Sequence, residues 1–262
     1  MQNVTVTDQM NRRVSIPSTP KRIISLVPSQ TELLYDLGLQ DEVIGITKFC
    51  IHPASQFKMK TKVGGTKKLD MELIRSLKPD LIIGNKEEND REQMEHLMMD
   101  FPVWMSDIET LDEALDMIAA IGLITAKEAK AMEIVSRIKD GFANLTGSAG
   151  RRVAYFIWKD PYMVAGPNTF INDILERAGW INAVNESRYP VFTAENIKEA
   201  APDCIFLSSE PYPFKDKHIA EFRNIIPGAK IIIVDGEMFS WYGSRLLHAP
   251  AYLQTLCLEM GY

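Results

Sequence analysis

The run Asp70-Met71-Glu72-Leu73-Ile74-Arg75-Ser76-Leu77-Lys78-Pro79-Asp80-Leu81-Ile82-Ile83 holds a helix start, a helix stop and a buried strand in one short span. Asp70 can cap a helix by accepting from backbone N–H groups of its first turn. Pro79 disfavours helical backbone at Lys78, so the helix ends there. Leu81 to Ile83 is an unbroken apolar run of the kind buried on both faces of a parallel sheet. The same order recurs at Thr193-Ala194-Glu195-Asn196-Ile197-Lys198-Glu199-Ala200-Ala201-Pro202-Asp203-Cys204-Ile205-Phe206. In both copies a capping residue precedes a Glu by two positions and Pro-Asp follows that Glu by seven; the copies stand 123 positions apart. Such a repeat predicts two α/β lobes built alike.

Each half fits this reading when followed outward. In the first, Arg22–Val27 and Val43–Ile46 read as strands, with another near Val103-Trp104. Ser29-Gln30-Thr31-Glu32 reads as a capping box for a helix that turns Leu33, Leu34 and Leu37 inward and stops at Gly38. A charged helix follows over Asp90–Met99. In the second half, Arg152–Trp158, Met163–Ala165 and Lys230–Val234 read as strands. Phe170, Ile171, Ile174, Leu175 and Ala178 form a helical stripe ended by Gly179, and a last helix begins near Leu246. Strands alternating with helices make the class α/β with mainly parallel sheets.

Between the halves, Ala129, Met132, Val135, Ile138, Phe142 and Leu145 recur at helical spacing. Thr125 and Glu128 read as a second capping box, and a helix over 125–145 would span about 31 Å. Gly141 weakens it by about 1 kcal/mol. The expected organisation is an N-terminal lobe at 1–123, a rigid connecting helix at 124–147 and a C-terminal lobe at 148–262. A ligand cleft lies between the lobes in this reading, and closure is small.

The 262 residues are 46% hydrophobic and 24% charged, with 15 Gly and 14 Pro, which excludes collagen-like, low-complexity and coiled-coil chains. No apolar run approaches the roughly 18–20 residues of a membrane helix. The 29 basic and 35 acidic residues give −6, which argues against a nucleic-acid partner. The polar opening Met1–Asp8 lacks a leader pattern. A periplasmic or cell-surface place follows if a leader was removed, and a cytoplasmic one if Met1 is the true start. Cys50, Cys204 and Cys257 are odd in number and scattered, so no disulfide framework is expected; Cys204 and Cys257 read as buried apolar residues. No Gly-x-Gly-x-x-Gly, phosphate loop, Gly-x-Ser-x-Gly or His-Glu-x-x-His occurs, so no catalytic residue or catalytic cofactor is assigned. The four histidines, His52, His96, His218 and His248, are too dispersed for a metal centre of three or four ligands.

At Asp8–Val14, Pro20–Glu32, Leu37-Gly38, Val43–Gly45, Val63–Gly65, Leu77–Leu81, Asn168–Gly179 and Pro202-Asp203 the chain resembles a known family. These are the periplasmic substrate-binding proteins of ABC importers whose lobes share one backbone helix, and the likeness is greatest to their cobalamin-binding branch. The resemblance implies a monomeric capture protein, not an enzyme, that delivers a corrinoid-like ligand such as cobalamin to a permease dimer. Haem, ferric siderophores and metals are the alternative ligands in such a fold, and a cytoplasmic ligand-handling protein is the alternative setting. By motif position Glu72 and Glu195 would dock the permease, although a first-turn Glu also gains about 0.3–1 kcal/mol from the helix dipole alone.

A corrinoid is a broad disc that calls for aromatic faces and a few polar groups. The candidates in loops after strands are Phe49, His52 and Thr66 in the first half. In the second half they are Trp158, Tyr162, Tyr189, Phe239, Trp241 and Tyr242, with Glu237 or Asp235 at an acidic amide-binding position. Tyr189 matches a stacking aromatic of the cobalamin binders, whereas Thr66 replaces another. Cys257 matches half of a relative's disulfide, but Ala178 stands at the partner position.

Overall fold

The structure is a computed structural model that describes residues 3–146 and 150–260. It divides into two compact units. The first takes residues through Asp107, Asp112–Arg137 and Tyr242–Arg245; the second takes Ile108–Leu111, Ile138–Trp241 and the chain from Leu246 onward. The units are therefore not contiguous in sequence, unlike the expected division, and the 147/148 boundary of that division lies outside the described residues.

In the first unit β1 (Asn3–Thr7) and β2 (Arg13–Pro17) form an antiparallel ribbon, turned at Asn11 with φ +58°. Val14 and Ile16 are its buried alternate positions. There follow β3 (Ile23–Ser25), α1 (Pro28–Asp36), β4 (Val43–Ile46), α2 (Ala54–Met59), β5 (Thr61–Lys62) and α3 (Met71–Leu77). After them come β6 (Leu81–Asn85), α4 (Arg91–Asp100), β7 (Val103–Ser106), α5 (Leu111–Ile124) and α6 (Glu128–Ala143), of which Leu111 and the residues from Ile138 belong to the second unit. The five-stranded sheet runs β5-β4-β3-β6-β7 and is parallel throughout. Ile24, Leu26, Ile74, Ile82, Met94 and Leu97 pack into its core.

The second unit contains β8 (Arg152–Trp158), β9 (Tyr162–Val164), α7 (Phe170–Arg177), β10 (Ile181–Asn182), β11 (Val191–Phe192) and α8 (Ala194–Ala200). It continues through β12 (Cys204–Ser208), α9 (Asp216–Ile225), β13 (Lys230–Val234), α10 (Glu237–Ser240), a 3-10 turn at Ser244–Leu247 and α11 (Ala249–Glu259). Its sheet order is β11-β9-β8-β12-β13 with β10 on β8. The β8, β12, β13 and β10 pairings are parallel, and β9 and β11 add antiparallel edges. Phe156, Ile205, Leu207, Phe214 and Phe222 centre its core.

Both copies of the repeat start and stop alike. The Asp70 carboxylate accepts from Leu73 N, and the Thr193 hydroxyl accepts from Asn196 N. Both helices end on a left-handed residue, Lys78 at φ +47° and Ala201 at φ +43°, just ahead of the proline. Asp80 then accepts from the backbone N–H of Lys21 and Arg22, each at 2.8 Å, while Arg22 reaches the Leu77 and Lys78 carbonyls. In the second copy Asp203 accepts from Arg152 N at 2.9 Å and Arg152 reaches the Ala200 carbonyl. Each Asp thus pins the start of a neighbouring strand, which sets β3 beside β6 and β8 beside β12.

The other two capping boxes are corrected. Helix α1 begins at Pro28 with no side-chain cap, because a proline at the first position needs no N–H partner and Glu32 is taken by an arginine. Thr125 donates back to the Ile121 carbonyl at 2.6 Å and closes α5, with Ala126 left-handed at φ +56°. Helix α6 consequently starts at Glu128 and ends at Ala143, shorter than the expected 125–145. The last helix starts at Ala249, after the 3-10 turn. Cys50, Cys204 and Cys257 are all buried free thiols. Cys257 lies against residue 178, its Sγ 3.9 Å from the Ala178 carbonyl, where no second sulfur exists to bridge it.

Candidate functional site

In a parallel sheet ligands bind beyond the carboxyl ends of the strands, where the order reverses. In the first unit that reversal falls between β3 and β6. The segment Tyr242–Arg245 lies against it. The Tyr242 hydroxyl donates to Glu88 at 3.1 Å, and Gly243 fits so tightly that a Cβ there would lie 2.6 Å from the Ser29 carbonyl. Arg245 donates two hydrogen bonds to Glu32, at 2.6 and 2.9 Å, with both side chains largely buried. Tyr242, expected at the ligand, is only 6% exposed. Its ring is buried because this segment covers the first turn of α1.

The loop after β4 is held from below. Thr31 Oγ1 donates to Ser25 Oγ at 2.7 Å, and the hydroxyls of Thr31 and Thr47 each sit 3.1 Å from Cys50 Sγ. Burial pushes the Cys50 thiol up, so it stays protonated and unreactive. This anchoring leaves Phe49 outside, 50% exposed, with the Lys48 ammonium 5.1 Å from its ring centre. The turn after β5 depends on Gly64, at φ +107°, where a Cβ would meet the Lys68 carbonyl at 2.5 Å. Gly65 lets the Phe49 ring approach, since a Cβ there would lie 3.2 Å from Phe49 Cε2. Asn89 ties the turn to the loop after β6 by donating to the Thr66 carbonyl at 3.1 Å.

Phe49, Thr66 and the exposed Glu72 line one open cavity of about 880 Å³ with Lys48, Lys67 and Lys68. His52 is half-buried two residues beyond Cys50 and does not line it. His96 and His248 are exposed, and His218 is a core histidine whose Nδ1 accepts from Lys215 N.

In the second unit Trp158 is 39% exposed and stands edge-on to Tyr212 at 5.6 Å. Tyr189 is half-buried under the Arg188 guanidinium, 5.8 Å away. Tyr162 is spent largely on its own unit, with its ring 5.0 Å from Phe222 and its hydroxyl bonded to Glu221. Phe239 needs correction. It is fully buried, 5.0 Å from Tyr155 and 6.0 Å from Phe206, because α10 turns its one large apolar ring into the core. Trp241 is 7% exposed and its Nε1 donates to Glu210 Oε1 at 2.8 Å. Glu237 is half-buried at the start of α10, where its N–H donates to Asp235 at 3.1 Å. Glu195 is exposed on α8.

Sequence reasoning missed Glu210, Tyr212 and Lys48. Burial, with the nearby Glu237 and Asp235 charges adding to it, raises Glu210 above the ordinary carboxylate range, despite the bonds from Ser240 and Trp241. The signal for Glu210 and Tyr212 was Glu-Pro-Tyr-Pro directly after a buried strand.

Residues 23–224 match the family model described as periplasmic binding protein. The chain belongs to that family. It is 30% identical over 216 residues to the uncharacterized ABC transporter substrate-binding lipoprotein YvrC of Bacillus subtilis, covering 77% of this chain and 68% of that one. It is 27% identical over 199 residues to the vitamin B12-binding protein of Vibrio cholerae, covering 73% and 72%. It is 28% identical to a cobalamin-binding protein of Halobacterium salinarum, spanning 58% of that protein's length. The same fold occurs in the Vibrio cholerae periplasmic vitamin B12 binding protein BtuF, with TM-score 0.80, 24% identity, and 93% and 98% of the two chains covered. It occurs also in the Bacillus petrobactin-binding protein YclQ, with TM-score 0.83, 18% identity, and 98% and 99% covered. The periplasmic haem-binding protein BhuT shares it at TM-score 0.80, 21% identity, and 91% and 98% covered.

The chain is accordingly a substrate-binding protein of the class that serves ABC permeases, most like the cobalamin-binding branch. Relatives described as periplasmic or as lipoproteins support an extracytoplasmic place. Among the described residues no helix is long and apolar enough to cross a membrane.

Proposed function

We propose that this protein captures a corrinoid-like ligand such as cobalamin and delivers it, as a monomer, to an ABC permease dimer that reads Glu72 and Glu195. The ligand assignment is supported above all by relatives named for vitamin B12 or cobalamin at 27–28% identity over about three quarters of the chain. The exposed Phe49 ring in the first unit's cavity supplies a flat apolar face of the kind a macrocycle needs. The docking assignment is supported by the repeat, since both glutamates are exposed first-turn residues of helices that start at a side-chain cap and end on a left-handed residue.

A second reading, haem or a ferric siderophore as ligand, is favoured by fold neighbours with those names. Calorimetric titration with cobalamin, cobinamide, haemin and ferric siderophores separates the two. Micromolar or tighter binding of a corrinoid is expected; binding of haemin or a siderophore alone transfers the assignment to the second reading.

A further inference from the structure

A second cavity, of about 420 Å³, lies within the first unit where the β1–β2 turn, α4 and β7 come together. Asn89 separates it from the cavity around Phe49, lining the one and donating to the Thr66 carbonyl of the other at 3.1 Å. Its wall holds four thioethers: Met10 of the turn, Met94 and Met98 of α4, and Met105 of β7. Met94 and Met105 are buried and meet over bare backbone, since a Cβ on Gly84 would lie 2.9 Å from both Met105 Sδ and Met94 Cε. Met10, 37% exposed, stands at the mouth. The volume falls in the range of small-molecule sites, roughly 300–1,000 Å³, and unbranched thioethers reshape readily around a guest.

The charges on its wall cancel locally. Lys86 pairs with Asp107 at 2.6 Å and Arg91 with Glu95 at 2.7 Å, while the Asp8 carboxylate accepts from Arg12 Nε at 3.0 Å. Neither an anion nor a cation therefore finds an unpaired opposite charge there. One donor is poorly served. Arg12 gives Nη2 to the Val103 carbonyl at 3.0 Å but turns Nη1 to Met98 Sδ, a weak acceptor, and among the described residues no oxygen takes that group. We infer that this cavity is a second small-molecule site, taking an uncharged guest with a short apolar body and one acceptor oxygen, such as an ester or a ketone. The methionines hold the body, and Arg12 Nη1 donates to the oxygen in place of Met98 Sδ. This assignment is independent of the capture function proposed above.

The test titrates the full chain, its methionine methyl groups isotope-labelled, with methyl hexanoate, hexanoate and hexyltrimethylammonium, which share a short chain and differ in charge. The ester is expected to shift the Met10, Met94, Met98 and Met105 methyl resonances saturably, while those of the exposed Met59 and Met99 stay in place. Millimolar affinity suits so small a guest. Both ions should bind about tenfold more weakly, because burying an unpaired charge is costly. Arg12→Lys keeps a cation beside Asp8 but withdraws the Nη1 donor, and should weaken the ester about tenfold. Shifts that do not saturate, or that fall on Met59 and Met99 instead, overturn the site. Either ion binding as tightly as the ester overturns the uncharged class, and undiminished ester binding by Arg12→Lys overturns the acceptor. The three titrations of the parent decide the site and its class even where the variant does not fold.

Discussion

In the first copy of the repeat Asp80 accepts from two backbone N–H groups and Arg22 spans two carbonyls, whereas in the second, among the described residues, Asp203 accepts from one and Arg152 reaches one. A side-chain cap on the third helical N–H, a left-handed stop and the strand pairing are nevertheless common to both, although Thr193 adds a reciprocal box with Asn196. The helix–proline–strand frame therefore survives thinner bonding, because its path is set by the cap and the stop rather than by the number of hydrogen bonds. Where the strands end, the copies part. The loops of the first unit carry Lys48, Lys67 and Lys68 around an exposed phenylalanine. Those of the second carry Glu210, Asp235 and Glu237 around rings that are mostly packed. The frame was repeated and the recognition chemistry was not.

The sharpest way to break this contrast is to cut one ring from each side. Phe239→Ala should destabilise the protein by about 3–5 kcal/mol, the cost of emptying a buried aromatic site. Phe49→Ala should cost no more than about 0.5 kcal/mol, as an exposed position does. Urea unfolding reads both; similar losses would mean that the two rings are not framework and surface. Next in size, Asp80→Ala should cost about 2 kcal/mol and Asp203→Ala about 1, in proportion to the N–H groups each leaves unpaired. The same unfolding experiment ranks them, and the reverse order would break the account of the frame.

Much of the frame was legible because turn chemistry is local: the Asp70 and Thr193 caps, Pro79, Pro202, Gly38 and Gly179 act on their immediate neighbours. Thr125 misled because a hydroxyl near a helix end has alternatives, and Ser29 because Pro28 already opens its helix. Thr125 bonds backward into α5, and the Glu32 of the supposed box is taken by Arg245, more than two hundred positions away. No local pattern announces such a partner. The aromatic run 239–242 was illegible for a related reason. Its three rings go to a core, to Glu210 and to Glu88, and that division depends on strands brought together by the fold.

A smaller effect concerns the acidic loops of the second unit. A glutamate raised above its ordinary range binds its proton more strongly folded than unfolded. Ionised Glu210 therefore subtracts from stability above its folded pKa, and the penalty fades as pH falls through the raised value toward the unfolded one. Glu210→Gln keeps an acceptor for Trp241 and should raise the melting temperature at neutral pH. The gain should vanish at about pH 4, near the ordinary carboxylate value. A gain independent of pH would show that the charge is not its source.

The matched glutamates carry the central claim, and charge reversal at both tests it most directly. Because Glu72 also lines the first unit's cavity, Glu72→Lys/Glu195→Lys should keep ligand binding in calorimetry, with an affinity shifted at most severalfold, yet fail to stimulate ATP hydrolysis or uptake by its permease in proteoliposomes. Undiminished stimulation by the double variant would contradict docking through this pair. Loss of ligand binding along with stimulation would contradict it too, by making the two residues supports of the fold.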